Sequence, residues 1–165
     1  MDDAEARREL LAVLTDDARQ ETADVARQLG MSEERVTALI ATLEDEEVLR
    51  GYQAVVDWER TDAPHVTAEL ELNVELDRET TYEDVARRVA KFSEVESLRL
   101  VSGDFDFAAT VAGESMNDVS HFVAERIATI PEVTQTVTHF VMETYKDRGV
   151  EFEGREDDDR LSVSP

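Results

Sequence analysis

Beyond Pro64 the apolar residues change period. In the stretch VTAELELNVEL, Val66, Ala68, Leu70, Leu72, Val74 and Leu76 alternate with polar residues without a break. That is the pattern of a half-exposed strand in an antiparallel sheet, because successive side chains on a strand point to opposite faces. The helix TYEDVARRVAKF follows, with Val85, Ala86, Val89 and Ala90 on one side, and VESLRLVSGDFDFAATVAG reads as two strands about a Ser-Gly-Asp turn. MNDVSHFVAERIATI is a second amphipathic helix and VTQTVTHFVMETY a last strand. The order strand, helix, strand, strand, helix, strand predicts a ferredoxin-like βαββαβ domain, two helices on one face of a four-stranded sheet. The other face lacks a cover. It is expected to carry Phe105, Phe107, Val111 and Phe140 or their neighbours, and a second subunit is expected to pack there.

Upstream of Pro64 the period is helical. Leu10, Leu11, Val13 and Leu14 mark one helix from Asp2 to Leu14, and ETADVARQLG a second, with Thr22 as its N-cap and Gly30 as its stop. Ser32 caps a third, whose first turn carries Glu33 and Glu34 at the positive end of the helix dipole. Val36, Leu39, Ile40 and Leu43 form its buried stripe. Three short helices with a tight turn before the last make a helix-turn-helix. VLRGYQAVVDW is strand-like and ERTDAP a hinge. The α+β chain therefore divides into a winged-type helix-turn-helix over residues 1–51, a strand and hinge over 52–65, the ferredoxin-like domain over 66–148 and an acidic, mobile tail over 149–165.

On the third helix, at 100° per residue, Glu34, Ala38, Ala41 and Asp45 lie opposite the buried stripe, with Arg35, Thr37 and Thr42 on the flanks. A DNA groove would meet this surface, which is short of arginine. The whole chain shares that bias: Asp+Glu number 40 against 17 Lys+Arg, the formal net charge is -23 and the pI about 4.3. Lys91 and Lys146 are the only lysines, and the acids run the full length of the chain. Such a chain repels itself in dilute salt, whereas at molar salt the Debye length falls to about 3 Å and the repulsion is screened. The composition resembles that of haloarchaeal proteins, and adaptation to a salt-loaded cytoplasm is expected.

Four strings, LRGY after the third helix, LVSGDFDF in the central hairpin, IPEV after the second helix of the back domain and FVMETYK in the last strand, give residues 3 to 148 a specific family likeness. The chain resembles the Lrp/AsnC, or feast/famine, transcription regulators. That resemblance implies an N-terminal helix-turn-helix on double-stranded DNA, an effector-binding and oligomerisation domain behind it, dimers built through the sheets and often octamers of such dimers. It also implies a small effector, commonly an amino acid, held between dimers near the Gly-Asp turn. The DNA-contacting set is then Thr22, Ser32, Glu34, Arg35, Thr37, Ala38, Ala41 and Thr42. The effector set is Ser102, Gly103 and Asp104 with Asp106, Met116, Thr138, His139 and Phe140, the last five by resemblance. The turn itself fits a zwitterion: Gly103 has backbone angles closed to other residues, Asp104 can accept from an ammonium group, and turn amides can face a carboxylate. A hairpin turn alone would also favour Gly and Asp. The chain departs from the family at Ala41 and Thr42, where arginines are usual, and at Glu47, where glycine is usual.

Other chemistries find little support. Without cysteine neither a disulfide nor a thiolate metal site can form. His65, His121 and His139 are not spaced as metal ligands, and no metal or cofactor is expected. No HExxH, GxxxxGK or GxGxxG string occurs, and no catalytic residue is expected. With no signal-like start and no apolar run of roughly 18 residues, the expected place is the cytoplasm, with no membrane partner. Two rival readings remain: a sensor or interaction protein of this fold that has lost DNA binding, and an enzyme resembling the siroheme decarboxylases, which would require histidines around a tetrapyrrole.

Overall fold

A computed structural model describes residues 2–152 and divides into two compact units. The first comprises residues through Val55 together with Arg148–Val150, the second Val56–Asp147 with Glu151 and Phe152.

Three helices build the first unit: α1 Asp3–Asp16, α2 Thr22–Leu29 and α3 Glu33–Asp45. Their core is Ala6, Leu10, Val25, Ala26, Leu29, Val36, Leu39 and Leu43, with Ile40 only half-buried at its edge. Asp2 caps α1 through the Glu5 N–H at 2.8 Å. Gly30 ends α2 in the left-handed region at φ 62°, ψ 34°, where the absence of a Cβ removes the steric penalty. Two residues later Ser32 caps α3 through the Arg35 N–H at 3.3 Å. Thr22 is not the cap of α2. Its own backbone is already helical, and Glu21 holds the cap position with its carbonyl accepting from Asp24 and Val25 at 2.9 and 3.1 Å. Past α3 the chain turns through Glu47 at φ 55°. The segment expected as a strand, VLRGYQAVVDW, forms none: residues 51–57 find no ladder partner, and the hinge instead begins with a 3-10 turn at Trp58–Arg60, Trp58 stacking on His65 at 4.2 Å.

The second unit has the expected order: β1 Val66–Val74, α4 Tyr82–Val89, β2 Val95–Leu100, β3 Phe107–Gly113, α5 Met116–Phe122 and β4 Val133–Phe140. The sheet order is β2-β3-β1-β4, all antiparallel. Thr81 and Asp84 form a reciprocal capping box on α4, and Ser115 caps α5, so each helix starts where a hydroxyl can take an orphan amide. α5 continues as a π-helical turn over Val123–Ile127, which the sequence pattern did not announce.

Register decides the faces of the sheet. Ala68, Leu70 and Leu72 stand opposite Val111, Ala109 and Phe107 on β3 and opposite Phe140, Thr138 and Thr136 on β4. Directly paired residues share a face. Phe107 and Val111 are therefore buried under the helices with Val85, Val119 and Ile127, and Phe140 packs against the same cluster. The expectation that these three line the open face is overturned, since strict alternation on β1 commits every paired residue with it. The open face is mixed, with Ala108, Ala112 and Val137 beside Thr67, Glu69 and Glu71. Arg99 donates to Ser97 (3.3 Å), Ser97 to Thr110 (2.8 Å) and Thr110 to Glu69 (3.1 Å), a chain across β2, β3 and β1. On the β4 side His139 Nε2 lies 3.1 Å from Glu71 Oε1.

The start of the expected tail is ordered: β5 Lys146–Asp147 and β6 Val150–Glu151 form a hairpin. Its two turn residues, Arg148 and Gly149, both have positive φ, 45° and 88°, the geometry that matches strand twist. Residues 153–165, and with them the rest of that expected tail, lie outside the described residues. Among the described residues no helix is long and apolar enough to cross a membrane.

Candidate functional site

The outward face of α3 is built as the helical period dictates. Glu34, Arg35, Thr37, Ala38, Ala41, Thr42 and Asp45 are all exposed, while Val36, Leu39 and Leu43 are buried beneath them. Thr22 and Ser32 are helix-start residues at the neighbouring turn, half-buried and exposed respectively. Several polar groups are already engaged. Thr42 donates to the Ala38 carbonyl at 2.9 Å, Arg35 lies 3.7 Å from Asp3, and Tyr52 donates to Glu44 at 3.0 Å. The Glu34 backbone N–H and the Ser32 hydroxyl hold the Glu34 carboxyl below the usual carboxylate range.

Positive charge on this unit is largely neutralised from within. Arg7 pairs with Glu46 through both terminal guanidinium nitrogens. Arg27 pairs with Asp24 at 2.6 Å and Arg50 with Glu47 at 2.6 Å. Among the described residues of this unit, Arg8 and Arg19 have guanidinium groups outside such pairs, and Arg148 donates to Gln53. The sequence reading missed these pairings. Arg7–Glu46, 39 residues apart, leaves no local signal, whereas the i,i+3 spacing of Arg27 and Arg50 from their partners is visible in the sequence.

In the second unit the residues expected around an effector fall into two groups. Ser102, Gly103 and Asp104 are exposed at the tip between β2 and β3, Gly103 at φ 136°, and Asn73 donates to the Asp104 carbonyl at 3.2 Å. Asp106 ties this tip down. Its backbone N–H donates to Leu72 and its carbonyl accepts from Val101, both at 2.9 Å. Its carboxylate accepts from the Val74 N–H at 2.8 Å and the Tyr82 hydroxyl at 3.1 Å, which raises the Tyr82 phenol above its ordinary range. Asp106 thus already has protein partners on both carboxylate oxygens. Thr138, His139 and Phe140 pair with Leu70, Glu69 and Ala68, and Met116 follows the opposite end of β3, so these four lie toward the far end of the sheet from the tip. They do not share a face either, since His139 points to the open side and Thr138 and Phe140 to the helices. One chain does not assemble the whole set. Asn73 and Tyr82, which position the tip, were not legible beforehand because their partners come from 31 and 24 residues away.

Beside this end of the sheet is a cleft of about 380 Å³ lined by Glu75, Leu76, Asp77, Pro131, Glu132 and Thr134. No cluster of three metal-ligating side chains occurs among the described residues.

A helix-turn-helix unit joined to a ferredoxin-like domain with a tethered glycine turn defines a DNA-binding regulator with a ligand-binding module. Residues 4–50 match the winged helix-turn-helix DNA-binding family and residues 67–151 the Lrp/AsnC ligand binding domain. The chain belongs to the Lrp/AsnC family of transcription regulators. It is 36% identical over 162 residues to the uncharacterized HTH-type transcriptional regulator YugG of Bacillus subtilis, covering 98% of each chain. The leucine-responsive regulatory protein of Escherichia coli K12 is 26% identical over 139 residues, 84% of each chain. In fold the chain is similar to a Neisseria meningitidis transcriptional regulator solved with L-Met, at TM-score 0.68 and 23% identity over 89% of this chain and 93% of that one.

Proposed function

We propose that this regulator contacts DNA through the outward face of α3, holds a free amino acid at the β2–β3 tip, and works in concentrated salt in the cytoplasm. The observation that carries the effector reading is the tip itself. Gly103 takes a backbone conformation that other residues rarely adopt, at a loop whose root is fixed by Asp106 and Asn73 while Asp104 stays exposed. A rooted loop with a free carboxylate and exposed amides suits a zwitterion better than a neutral ligand. The relatives named for leucine and solved with methionine favour an aliphatic amino acid.

The set Met116, Thr138 and Phe140 joins the tip only if a second subunit supplies it, so the effector reading includes self-association as a dimer or larger assembly. The sheet face opposite the helices, where Ala108, Ala112 and Val137 stand among polar residues, is the surface proposed for that association. Melting the full chain with each of the amino acids at molar KCl tests the effector reading. An increase in melting temperature for one aliphatic member is the expected result, and no shift with any of them rejects it. Sedimentation at the same salt tests assembly, and a stable monomer rejects it.

A further inference from the structure

The outward face of α3 has a chemistry that limits which bases it can read. We infer that α3 reads the pyrimidine edges of the major groove, chiefly thymine methyl groups. This rests on α3 being the helix that enters the groove, and it specifies what is recognised there.

Guanine is ordinarily read by a bidentate Arg or Lys and adenine by Asn or Gln. On this face neither Asn, Gln nor Lys occurs, and the one cation, Arg35, lies beside Asp3 at 3.7 Å. Apart from Arg35 and the Thr37 hydroxyl, the groups that face outward are methyls and carboxylates. Ala38 and Ala41 present Cβ alone. Thr42 has its hydroxyl engaged on the Ala38 carbonyl at 2.9 Å, which leaves its methyl as the free group, and Thr37 carries a further methyl. From Thr37 to Thr42 the helix rises about 7.5 Å, about two base-pair steps of roughly 3.4 Å. Methyl groups recognise the thymine C5-methyl by exclusion of water between them. Glu34, in the first turn where such helices meet base edges, is held ionised by its own N–H and Ser32. A carboxylate accepts from the cytosine N4 amine and repels the N7 and O6 acceptors of guanine. Both kinds of contact fall on pyrimidines, and both discriminate against a purine at the contacted position.

The test begins with duplexes selected by the full chain from a random-sequence pool at molar KCl. The tightest duplex is resynthesised with uracil for thymine, removing only the methyl. Affinity should fall about fourfold for each contacted methyl, while methylation of guanine N7 in the same steps should leave binding unchanged. Thr37→Ser should weaken binding to the thymine duplex and have little effect on the uracil duplex, because the two changes remove the same contact. The same cycle with Ala41→Gly covers the case in which the Thr37 methyl turns away. Equal binding to thymine and uracil duplexes, a block by N7-methylguanine, or absence of coupling for both variants overturns the inference and leaves DNA binding standing. Failure to bind any duplex at any KCl concentration overturns the groove-facing reading along with it.

Discussion

The internal pairing of arginines sets a quantitative limit on how this protein answers salt. A basic DNA-binding surface releases about 0.9 cations per neutralised phosphate, so its affinity drops steeply as salt rises. Here Arg7, Arg27, Arg35 and Arg50 face Glu46, Asp24, Asp3 and Glu47. If Arg8 and Arg19 are the side chains left to meet phosphates, two neutralised phosphates give a slope no steeper than about -1.8 per protomer on logarithmic axes, or about twelvefold from roughly 0.5 M to 2 M KCl. Glu34 and Asp45 act in the other direction, because exposed carboxylates close to phosphates retain or take up cations on binding. The two contributions are of the same order, and the expected outcome is affinity that is nearly flat or rises with KCl. Fluorescence anisotropy of a labelled selected duplex at several KCl concentrations measures the slope directly. Asp45→Asn, which leaves the Glu34 base contact in place, should restore a falling slope and tighten binding at low salt. A wild-type loss much greater than twelvefold per protomer across that range would refute the reasoning, since it requires cationic groups at the phosphates beyond Arg8 and Arg19.

Glu47 at φ 55° occupies a left-handed position where glycine is unstrained, so Glu47→Gly should stabilise the first unit by about 0.5–1 kcal/mol in urea unfolding despite losing the exposed pair with Arg50. Gly103→Val, where an added Cβ would meet no neighbour but φ 136° strains a β-branched residue, should distort the exposed tip while the chain still folds and associates, and should lose any amino-acid-induced shift in melting temperature; an unchanged shift would place the ligand elsewhere. Leu70→Ala, at a side chain 1% exposed, should cost about 2–5 kcal/mol, read from denaturant midpoints. The Glu132 carboxyl is held below its ordinary range by Arg88 at 2.6 Å, so its stabilising effect is present above the unfolded-chain pKa and is lost as pH falls through the depressed folded value. The melting-temperature gap between wild type and Glu132→Gln should close over that acidic window, and should survive molar KCl better than that for the exposed Glu83 of the Arg87 pair, because Glu132 is 13% exposed against 74%.

The architecture was legible because it is written in periodicity. The two-residue alternation of Val66 to Val74 is fixed locally, and burial of Ala68, Leu70 and Leu72 follows from it. What alternation on one strand cannot supply is the register of its neighbours. The face of Phe107 and Val111 is not fixed by their own sequence, because a one-residue choice of pairing inverts every side chain, and the pairing of Leu72 with Phe107 resolves it. The same limit explains the missing strand before Pro64: VLRGYQAVVDW has strand-forming residues, but a strand exists only where a partner edge accepts its hydrogen bonds, and none does here.

The site divides along the same line. Ser32, Gly30 and the exposed face of α3 could be read directly, since caps and helical faces depend on residues within a turn of one another. Asp106 could not, because nothing near it in sequence shows that its carboxylate is taken by Val74 and Tyr82. Its burden changes accordingly. With both oxygens engaged, Asp106 fixes where the Gly103–Asp104 tip stands, and the tip keeps the freedom to meet a ligand. An Asp106→Asn change would then act on the geometry of the tip through the Val74 and Tyr82 contacts, so Tyr82→Phe should reproduce part of its effect on effector response. If Asp106 instead touched the effector itself, Tyr82→Phe would leave that response intact.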